Sequence, residues 1–343
     1  MRQAVIHIGS LKTGSTSVQD SFSRARAALA ARGLHYASMA RNHAFLSFSL
    51  RYADRFGFDD AQNKWSGATA QKALHRLNLA KAEAADFSDG TFMFSTESLF
   101  KSTPRRAAIL KEMADEMFPG IPVKILAYIR HPVGYTISNG QERIKRTYAT
   151  SADVEAEGYD GHLRRGIETF AKTFGRDALV LRSYDEAVAK LGAVEHDVLE
   201  TLGVSDAAQA LEIRRKNTSL SMNAVQVADA LNRKLKAENV PLQRAQRTMK
   251  ARLLRKLEGP KFALSAAALD RLREQSRADV DWFGEAFGLV LPEPKVTTRE
   301  ALAPEMLREK QATRRANAFA NRVKAANERQ ARQPEEDDET ADD

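Results

Sequence analysis

The residues of this chain best suited to chemistry lie in a short polar stretch near its beginning. The stretch combines one lysine, one glycine and four hydroxyl-bearing residues: Lys12, Thr13, Gly14, Ser15, Thr16 and Ser17. A cation and hydroxyl donors beside a glycine, which lets the backbone approach closely, are groups that bind an anion such as a phosphate or a sulfate. The stretch therefore predicts an anion-binding loop.

The segments on either side of this loop are the elements that would position it. Residues 5–8 form an apolar, β-rich run, and apolar residues then recur at helical spacing at Val18, Phe22, Ala25 and Leu29. Backbone N–H groups at the start of a helix point toward a bound anion, and the helix dipole adds partial positive charge. A strand, a polar loop and a helix in this order predict a backbone cradle.

The loop differs from the loop that binds nucleoside triphosphates. Gly9 and Gly14 have the spacing of the motif G-x-x-x-x-G-K-[ST], but Ser15 stands where that motif has its lysine. The lysine of this loop, Lys12, lies three residues earlier. No apolar strand of the sequence ends in the aspartate that helps to hold Mg²⁺ in those proteins. We therefore expect an anionic donor and no obligatory metal.

A second candidate anion site follows another apolar run. Residues 123–129 are β-rich and end at Arg130, and Pro132 then opens a helix that carries Ser138. Ligands of open α/β sheets bind at the carboxyl ends of the strands, and the planar fork of arginine suits a terminal phosphate. A simple ion pair with a surface acid is the alternative role for Arg130.

The two motifs together resemble those of the PAPS-dependent sulfotransferases, whose donor is 3′-phosphoadenosine 5′-phosphosulfate. Residues 12–17 are similar to the 5′-phosphosulfate loop of that family, and Arg130, Pro132 and Ser138 match its 3′-phosphate motif. The resemblance covers roughly residues 1–230. It implies an α/β, three-layer P-loop-like fold with a central parallel sheet flanked by helices. It also implies PAPS as the donor substrate, and a catalytic Lys12 that stabilises charge on the leaving and transferring oxygens.

Two residues are candidates for the base that would take a proton from the acceptor. Glu97 follows an apolar run at residues 91–96, at the expected active-site edge, and some related sulfotransferases use a glutamate base. A helix N-cap or a surface acid is its alternative role. His43 is the second candidate because similar enzymes often carry a histidine just before a helix there, although a lone histidine is more often structural.

Three further residues are expected to contact the nucleotide. Residues 214–221 resemble, more loosely, the basic loop that sulfotransferases close over the 3′-phosphate, which makes Arg215 and Asn217 its expected contacts. A basic linker with Ser221 as a helix N-cap explains the same segment. Tyr184, at the end of a fourth apolar run, is expected either to stack on the adenine or to pack within the protein.

Composition limits the class of protein. The chain has 343 residues, of which 43% are hydrophobic, and it contains no cysteine, so disulfides and cysteine-based zinc sites are excluded. No apolar run reaches the roughly 18 residues of a membrane span, and a core strand at the start leaves no room for a signal peptide. We expect a cytoplasmic protein, with peripheral membrane contact left open.

Charge is distributed unevenly along the chain. The net charge is +8, although residues 334–343 hold seven acidic residues and no basic one, so the remainder is still more basic. Such a body suits a polyanionic donor. No nucleic-acid motif is present and the basic residues are not interleaved with aromatic ones, so we expect no nucleic-acid partner.

The order of predicted elements gives the domain organisation. Strands alternate with helices, which indicates a parallel sheet. We expect one sulfotransferase domain over residues 1–298, with a helical insert at about 43–86 and a helical part at about 222–290. Residues 299–343 are expected to be charged and helix-prone and then a disordered acidic tail.

The combined interpretation is a sulfotransferase that moves the sulfonate of PAPS to a hydroxyl by in-line displacement. The resemblance to bacterial members implies a carbohydrate or glycolipid acceptor. A P-loop-type kinase with a displaced lysine and a non-catalytic protein that binds a nucleotide or polyanion remain as alternatives.

Overall fold

A computed structural model describes residues 2–58, 61–214 and 219–332 of the chain. The chain divides into two compact units. The first comprises Met1–Arg130, Gly161–Lys216 and Asp279–Pro292, and the second comprises His131–Asp160, Asn217–Ala278 and Glu293–Asp343. Each unit is therefore assembled from segments that are distant in the sequence.

The first unit contains the sheet. The described strands are β1 (Gln3–Gly9), β2 (Leu34–Tyr36), β3 (Thr91–Ser95), β4 (Val123–Ile129) and β5 (Leu179–Ser183). They pair in the order β2-β3-β1-β4-β5, and every pairing is parallel. The protein thus has the predicted α/β class, with a central five-stranded parallel sheet flanked by helices. Because the strands are parallel, the residues that follow β1, β3 and β4 leave the sheet at one edge.

The described residues form sixteen α-helices. In chain order these are α1 (Ser15–Arg24), α2 (Arg26–Ala30), α3 (Ala44–Phe56), α4 (Ala61–Lys64), α5 (Ala68–Ala85), α6 (Pro104–Met117), α7 (Pro132–Arg146), α8 (Ser151–Glu157), α9 (His162–Phe174), α10 (Tyr184–Leu191), α11 (Val194–Thr201), α12 (Met222–Ala237), α13 (Arg244–Leu254), α14 (Ala266–Phe287), α15 (Arg299–Leu302) and α16 (Glu309–Arg332). Short 3₁₀ helices cover Glu97–Lys101, Arg176–Ala178, Ser205–Ala210 and Ala303–Glu305.

Both faces of the sheet are covered, which explains why its central strands read as continuous apolar runs. On one face, Met93 of β3 packs in a cluster with Phe22 of α1 and Val198 of α11. On the other face, the rings of Phe92 and Phe94 lie 5.4 and 6.3 Å from the ring of Phe118, which follows α6. The alternation along β3 thus sends successive side chains into two separate cores.

The helical insert and one late segment complete the first unit. Trp65 is fully buried between α4 and α5, in a cluster with Ala70 and Leu74. In the segment Asp279–Pro292, the Trp282 ring lies under the guanidinium of Arg164 of α9, with Cζ 5.0 Å from the ring centroid. Both tryptophans of the chain therefore belong to this unit.

The second unit is a group of helices held together partly by buried polar side chains. Asn232 of α12 donates to the carbonyl oxygens of Ile144 and Ala149, at 3.2 and 2.6 Å, at and after the end of α7. Lys250 of α13 is fully buried, and its Nζ donates to the carbonyl oxygen of Thr147. Carbonyl groups at a helix end lack intrahelical partners, so these side chains satisfy groups that burial would otherwise leave unpaired.

Most predicted elements are present, with one local difference. The apolar spacing predicts a continuous first helix through Leu29, whereas α1 ends at Arg24 and α2 begins at Arg26. The N–H of Ala25 bonds to the carbonyl oxygens of both Ser21 and Phe22, a three-centre bond that is common at helix ends. The described part of the predicted tail includes the helix α16. Residues 333–343 lie outside the described residues, so their predicted disorder stays a prediction. The expected domain boundary near residue 298 stays a prediction.

Within the described part of the chain, we find no helix of the length and apolar character that a membrane crossing requires.

Candidate functional site

The loop between β1 and α1 has the backbone form of an anion cradle. Gly14 is the N-cap of α1 with φ +77°, and Lys12 also has a positive φ, +66°. No side chain of the described residues caps the helix. Among the described residues, the N–H groups of Ser15 and Thr16 have no hydrogen-bond partner. An uncapped helix start leaves these donors, together with the positive end of the helix dipole, for a ligand.

The hydroxyl groups of the loop are used largely within the protein. Thr13 Oγ1 and Ser15 Oγ donate to the carbonyl oxygen of Ser10, at 2.5 and 3.5 Å. Ser17 Oγ donates to Glu195 Oε1. The side chain of Thr16 is exposed and makes no described hydrogen bond. The predicted contacts of these hydroxyls with a ligand stay predictions, and for three of them the hydroxyl would have to turn away from its present partner.

Two glycines let the loop approach other parts of the first unit. A Cβ atom placed on Gly9 would lie 3.0 Å from Cβ of Glu97, and one placed on Gly14 would lie 2.7 Å from Cγ1 of Val194. The same Cβ on Gly14 would lie 3.4 Å from Cε2 of Tyr184. Any larger residue at either position would collide with its neighbour or displace it, so the glycines bring the loop against Glu97 on one side and Tyr184 on the other.

Arg130 lies at the carboxyl end of β4, beside Tyr184. Its Cζ is 5.2 Å from the centroid of the Tyr184 ring, a cation–π arrangement. Its Nε is 3.4 Å from Oδ1 of Asp185, is buried and makes no hydrogen bond with any described residue. The side chain is 23% exposed. Arg130 thus forms an ion pair with Asp185, as the alternative role expects, although this Nε–Oδ1 contact is not a hydrogen bond. Its predicted contact with a phosphate stays a prediction.

Tyr184 is the residue that brings the two predicted motifs together. Its ring lies next to Gly14 of the loop and under the guanidinium of Arg130. It also packs against the apolar cluster on that face of the sheet, so the packing role is observed. Its predicted stacking on adenine stays a prediction.

Glu97, the first candidate base, is oriented by a residue that the sequence analysis missed. It begins the 3₁₀ helix after β3 and is half-buried. Nε2 of Gln19, a buried residue of α1, donates to Glu97 Oε2 at 2.8 Å and lies 3.4 Å from Ser95 Oγ. The Glu97 carboxylate is therefore held by a residue of α1, the helix that follows directly after the loop.

His43, the second candidate, has both ring nitrogens engaged by the main chain. The N–H of Ser95 donates to Nδ1 at 2.8 Å, which makes Nε2 the protonated nitrogen, and Nε2 donates to the carbonyl oxygen of Ala37 at 3.1 Å. The ring is fully buried, and burial lowers the pKa of His43 to about 3. This neutral ring has no lone pair free for a substrate proton. The geometry favours a structural role for His43, and its assignment as a base stays a prediction.

Glu195 is a second residue that the sequence analysis did not identify. It lies in the first turn of α11, is 2% exposed and accepts the hydroxyl proton of Ser17. The two residues are 178 positions apart in the chain, and no motif joins them. A carboxylate this close to an anion-binding loop opposes the binding of an anion there.

The remaining predicted contacts fall outside the described residues of the first unit. Ser138 is half-buried on α7, in the second unit. Arg215 and Asn217 lie outside the described residues. Just before them, the carbonyl oxygen of Glu212 accepts from Arg24 NH2 at 2.7 Å, so the segment leading to the predicted basic loop is held against α1. Ser221 caps α12 by accepting from the N–H of Ala224 at 3.0 Å, as the alternative interpretation of this segment expects.

No group of three or more histidine or acidic side chains with the proximity of a metal site occurs in residues 2–58, 61–214 and 219–332.

Comparisons with known proteins add little to this picture. No family model and no curated protein matches the chain. Among solved structures, the chain is similar to a sulfotransferase from Alicyclobacillus acidocaldarius, with 15% sequence identity over 75% of this chain and 98% of the other and a TM-score of 0.36. A likeness at this level gives no information on activity.

Proposed function

We propose that this chain is a sulfotransferase that transfers the sulfonate group of PAPS to a hydroxyl of an acceptor. The observation that carries the proposal is that the loop at Gly14 and the guanidinium of Arg130 adjoin one side chain, Tyr184. PAPS is anionic at both ends, with a phosphosulfate on one side of its adenosine and a phosphate on the other. Two candidate anion-binding groups that adjoin one aromatic ring suit such a molecule.

The loop would hold the phosphosulfate end. The free N–H groups of Ser15 and Thr16, with the helix dipole behind them, would fix its oxygens for in-line attack. Lys12 would stabilise the charge that develops on the leaving phosphate as its bond to sulfur breaks. Such preorganised charge stabilisation is the main requirement of a group transfer of this kind.

Glu97 would accept the proton of the acceptor hydroxyl as the new bond to sulfur forms. Its Cβ atom lies against the loop at Gly9, and its carboxylate accepts a hydrogen bond from Gln19. His43 stays the second candidate for this role, with both of its nitrogens already bonded to backbone groups. General base catalysis requires a base within hydrogen-bond reach of the acceptor hydroxyl, and the position of Glu97 beside the donor loop supports this role.

We propose a carbohydrate or glycolipid as the acceptor, on the basis of the family resemblance of the sequence. The cytoplasmic location, peripheral membrane contact and the absence of a nucleic-acid partner also stay predictions. Ser138, Arg215 and Asn217 retain their proposed contacts with the 3′-phosphate.

One observation favours a second candidate, the P-loop-type kinase. A hydroxyl and a carboxylate at the phosphate loop are the ligand types that hold Mg²⁺ in nucleotide-binding proteins, and Ser17 with Glu195 supplies both. The shifted position of Lys12 is unfavourable for that reaction. The two candidates differ in their nucleotide and in their need for a metal.

The proposal is tested by calorimetric titration of adenosine 3′,5′-bisphosphate (PAP) into the full chain without metal. We expect PAP to bind more tightly than ATP, and Lys12→Ala and Arg130→Ala each to weaken PAP binding by about tenfold or more. Lys101→Ala and Arg55→Ala are matched controls, because Lys101 is an exposed lysine and Arg55 stacks on Phe56 much as Arg130 does on Tyr184.

Two results would contradict the proposal. The first is that PAP binds no more tightly than ATP. The second is that neither Lys12→Ala nor Arg130→Ala weakens PAP binding relative to the control variants. ATP that binds tightly only with Mg²⁺ would instead support the kinase.

A further inference from the structure

Glu195 is a buried acidic residue without an ion-pair partner among the described residues. Its side chain is 2% exposed, and its hydrogen bond comes from the neutral hydroxyl of Ser17. No lysine, arginine or histidine among the described residues forms an ion pair with it. Buried carboxylates are usually paired because an isolated charge in a protein interior is costly. Its position therefore calls for an explanation.

The local fold reduces this cost without neutralising the charge. Glu195 lies in the first turn of α11, where the positive end of the helix dipole favours an acidic side chain. The hydroxyl of Ser17 supplies one charge-assisted hydrogen bond. These two interactions stabilise the carboxylate, which is directed toward α1.

The charge lies next to the proposed anion cradle. Ser17 follows directly after Ser15 and Thr16, whose N–H groups form the cradle, and Val194, the neighbour of Glu195, packs against Gly14. From helix dimensions, an anion on these N–H groups would lie about 8 Å from the carboxylate. At an effective dielectric constant near 20, a like charge at this distance weakens binding by roughly tenfold or more.

We propose that Glu195 lowers the affinity of this loop for anions, so that a bisphosphate product is released rather than retained. The statement about release rests on the proposed function. The alternative is that Glu195 merely ties α1 to α11 through Ser17.

The variant Glu195→Gln separates these two roles. Glutamine has the same shape and keeps an oxygen that accepts the Ser17 hydroxyl proton, but it removes the charge. If the charge opposes the ligand, the gain in affinity should follow ligand charge. Calorimetric titrations therefore use adenosine without phosphate, AMP with one phosphate group and PAP with two.

We expect Glu195→Gln to bind PAP more tightly than the unsubstituted chain does, by roughly tenfold or more. The gain in affinity for AMP should be smaller, and the affinity for adenosine should not change. Because a buried charge is screened little, the gain for PAP should persist at about 0.5 M NaCl. Glu200→Gln is the matched control, since Glu200 lies on the same helix but is exposed and paired with Lys190 at 2.7 Å. It should leave all three affinities unchanged.

Equal or weaker PAP binding by Glu195→Gln, or an equal gain for adenosine and PAP, would overturn the inference. Glu195→Met removes both the charge and the hydrogen-bond acceptor, and it gives the same test if the glutamine variant does not fold. Inorganic phosphate serves as a second probe that is independent of PAP. A gain for phosphate in a chain that does not bind PAP would refute the sulfotransferase and support the role of Glu195, whereas no gain with either probe would refute that role.

Discussion

Replacement of Gly14 by alanine should damage the loop for two separable reasons. Gly14 has φ +77°, a left-handed conformation that costs an L-amino acid about 1–2 kcal/mol. Its new Cβ would also lie 2.7 Å from Cγ1 of Val194, well inside normal contact, and overpacking of this kind costs about 1–3 kcal/mol. We expect Gly14→Ala to lower the free energy of unfolding by about 3 kcal/mol in total.

The two contributions can be measured separately. Gly192→Ala is the control for backbone conformation, because Gly192 has φ +74° and nothing lies within 4 Å of a Cβ placed there. It should cost about 1 kcal/mol. Val194→Ala removes the colliding methyl group, so in the Gly14→Ala background it should cost less than it does alone, with a coupling energy of about 1 kcal/mol or more.

Urea denaturation followed by circular dichroism measures the unsubstituted chain, the three single variants and the Gly14→Ala/Val194→Ala double variant. The reasoning is refuted if Gly14→Ala is no more destabilising than Gly192→Ala, or if the effects of Gly14→Ala and Val194→Ala simply add. Titration with PAP supplies a second measurement, in which we expect Gly14→Ala to bind more weakly because the collision displaces the helix start that carries the cradle.

Two further predictions concern buried charges. Burial lowers the pKa of Lys250 to about 7, from 10.5 in the unfolded chain. Between these two pH values the unfolded chain binds more protons than the folded one, so the stability of the protein should rise with pH. Melting temperatures of Lys250→Met should not show this rise, and a rise that persists in the variant would contradict the assignment. Asp197 is fully buried and accepts hydrogen bonds from Tyr128 and Arg182, so Asp197→Ala should lower the free energy of unfolding by about 3–5 kcal/mol, as measured by urea denaturation. Asp206 forms an exposed pair with Arg32, so the control Asp206→Ala should lower it by less than about 1 kcal/mol. Similar losses for both variants would refute the reasoning.

The sheet could be predicted from the sequence because its strands are buried on both faces. Such strands must be apolar at nearly every position, and β4 coincides with the predicted run at residues 123–129. The break between α1 and α2 could not be predicted, since the apolar spacing continues through Ala25 while the backbone changes there.

The candidate site was predictable only where it is local in sequence. The loop at residues 9–15 carries its own glycines, lysine and helix start, so its form follows from neighbouring residues. The contacts of Gln19 with Glu97 and of Ser17 with Glu195 join elements far apart in the chain, and packing alone creates them. The backbone partners of His43 were hidden for the same reason, because no side-chain pattern records which N–H or carbonyl group a ring will meet.

The position of the two tryptophans has a practical consequence for spectroscopy. Trp65 and Trp282 both lie in the first unit, although they come from segments more than two hundred residues apart. Indole emission during denaturation therefore reports on the sheet-containing unit, while the far-ultraviolet signal also includes the helices around Lys250. Coincident midpoints from the two signals would mean that both units melt as one cooperative body, and separate midpoints would assign a stability to each.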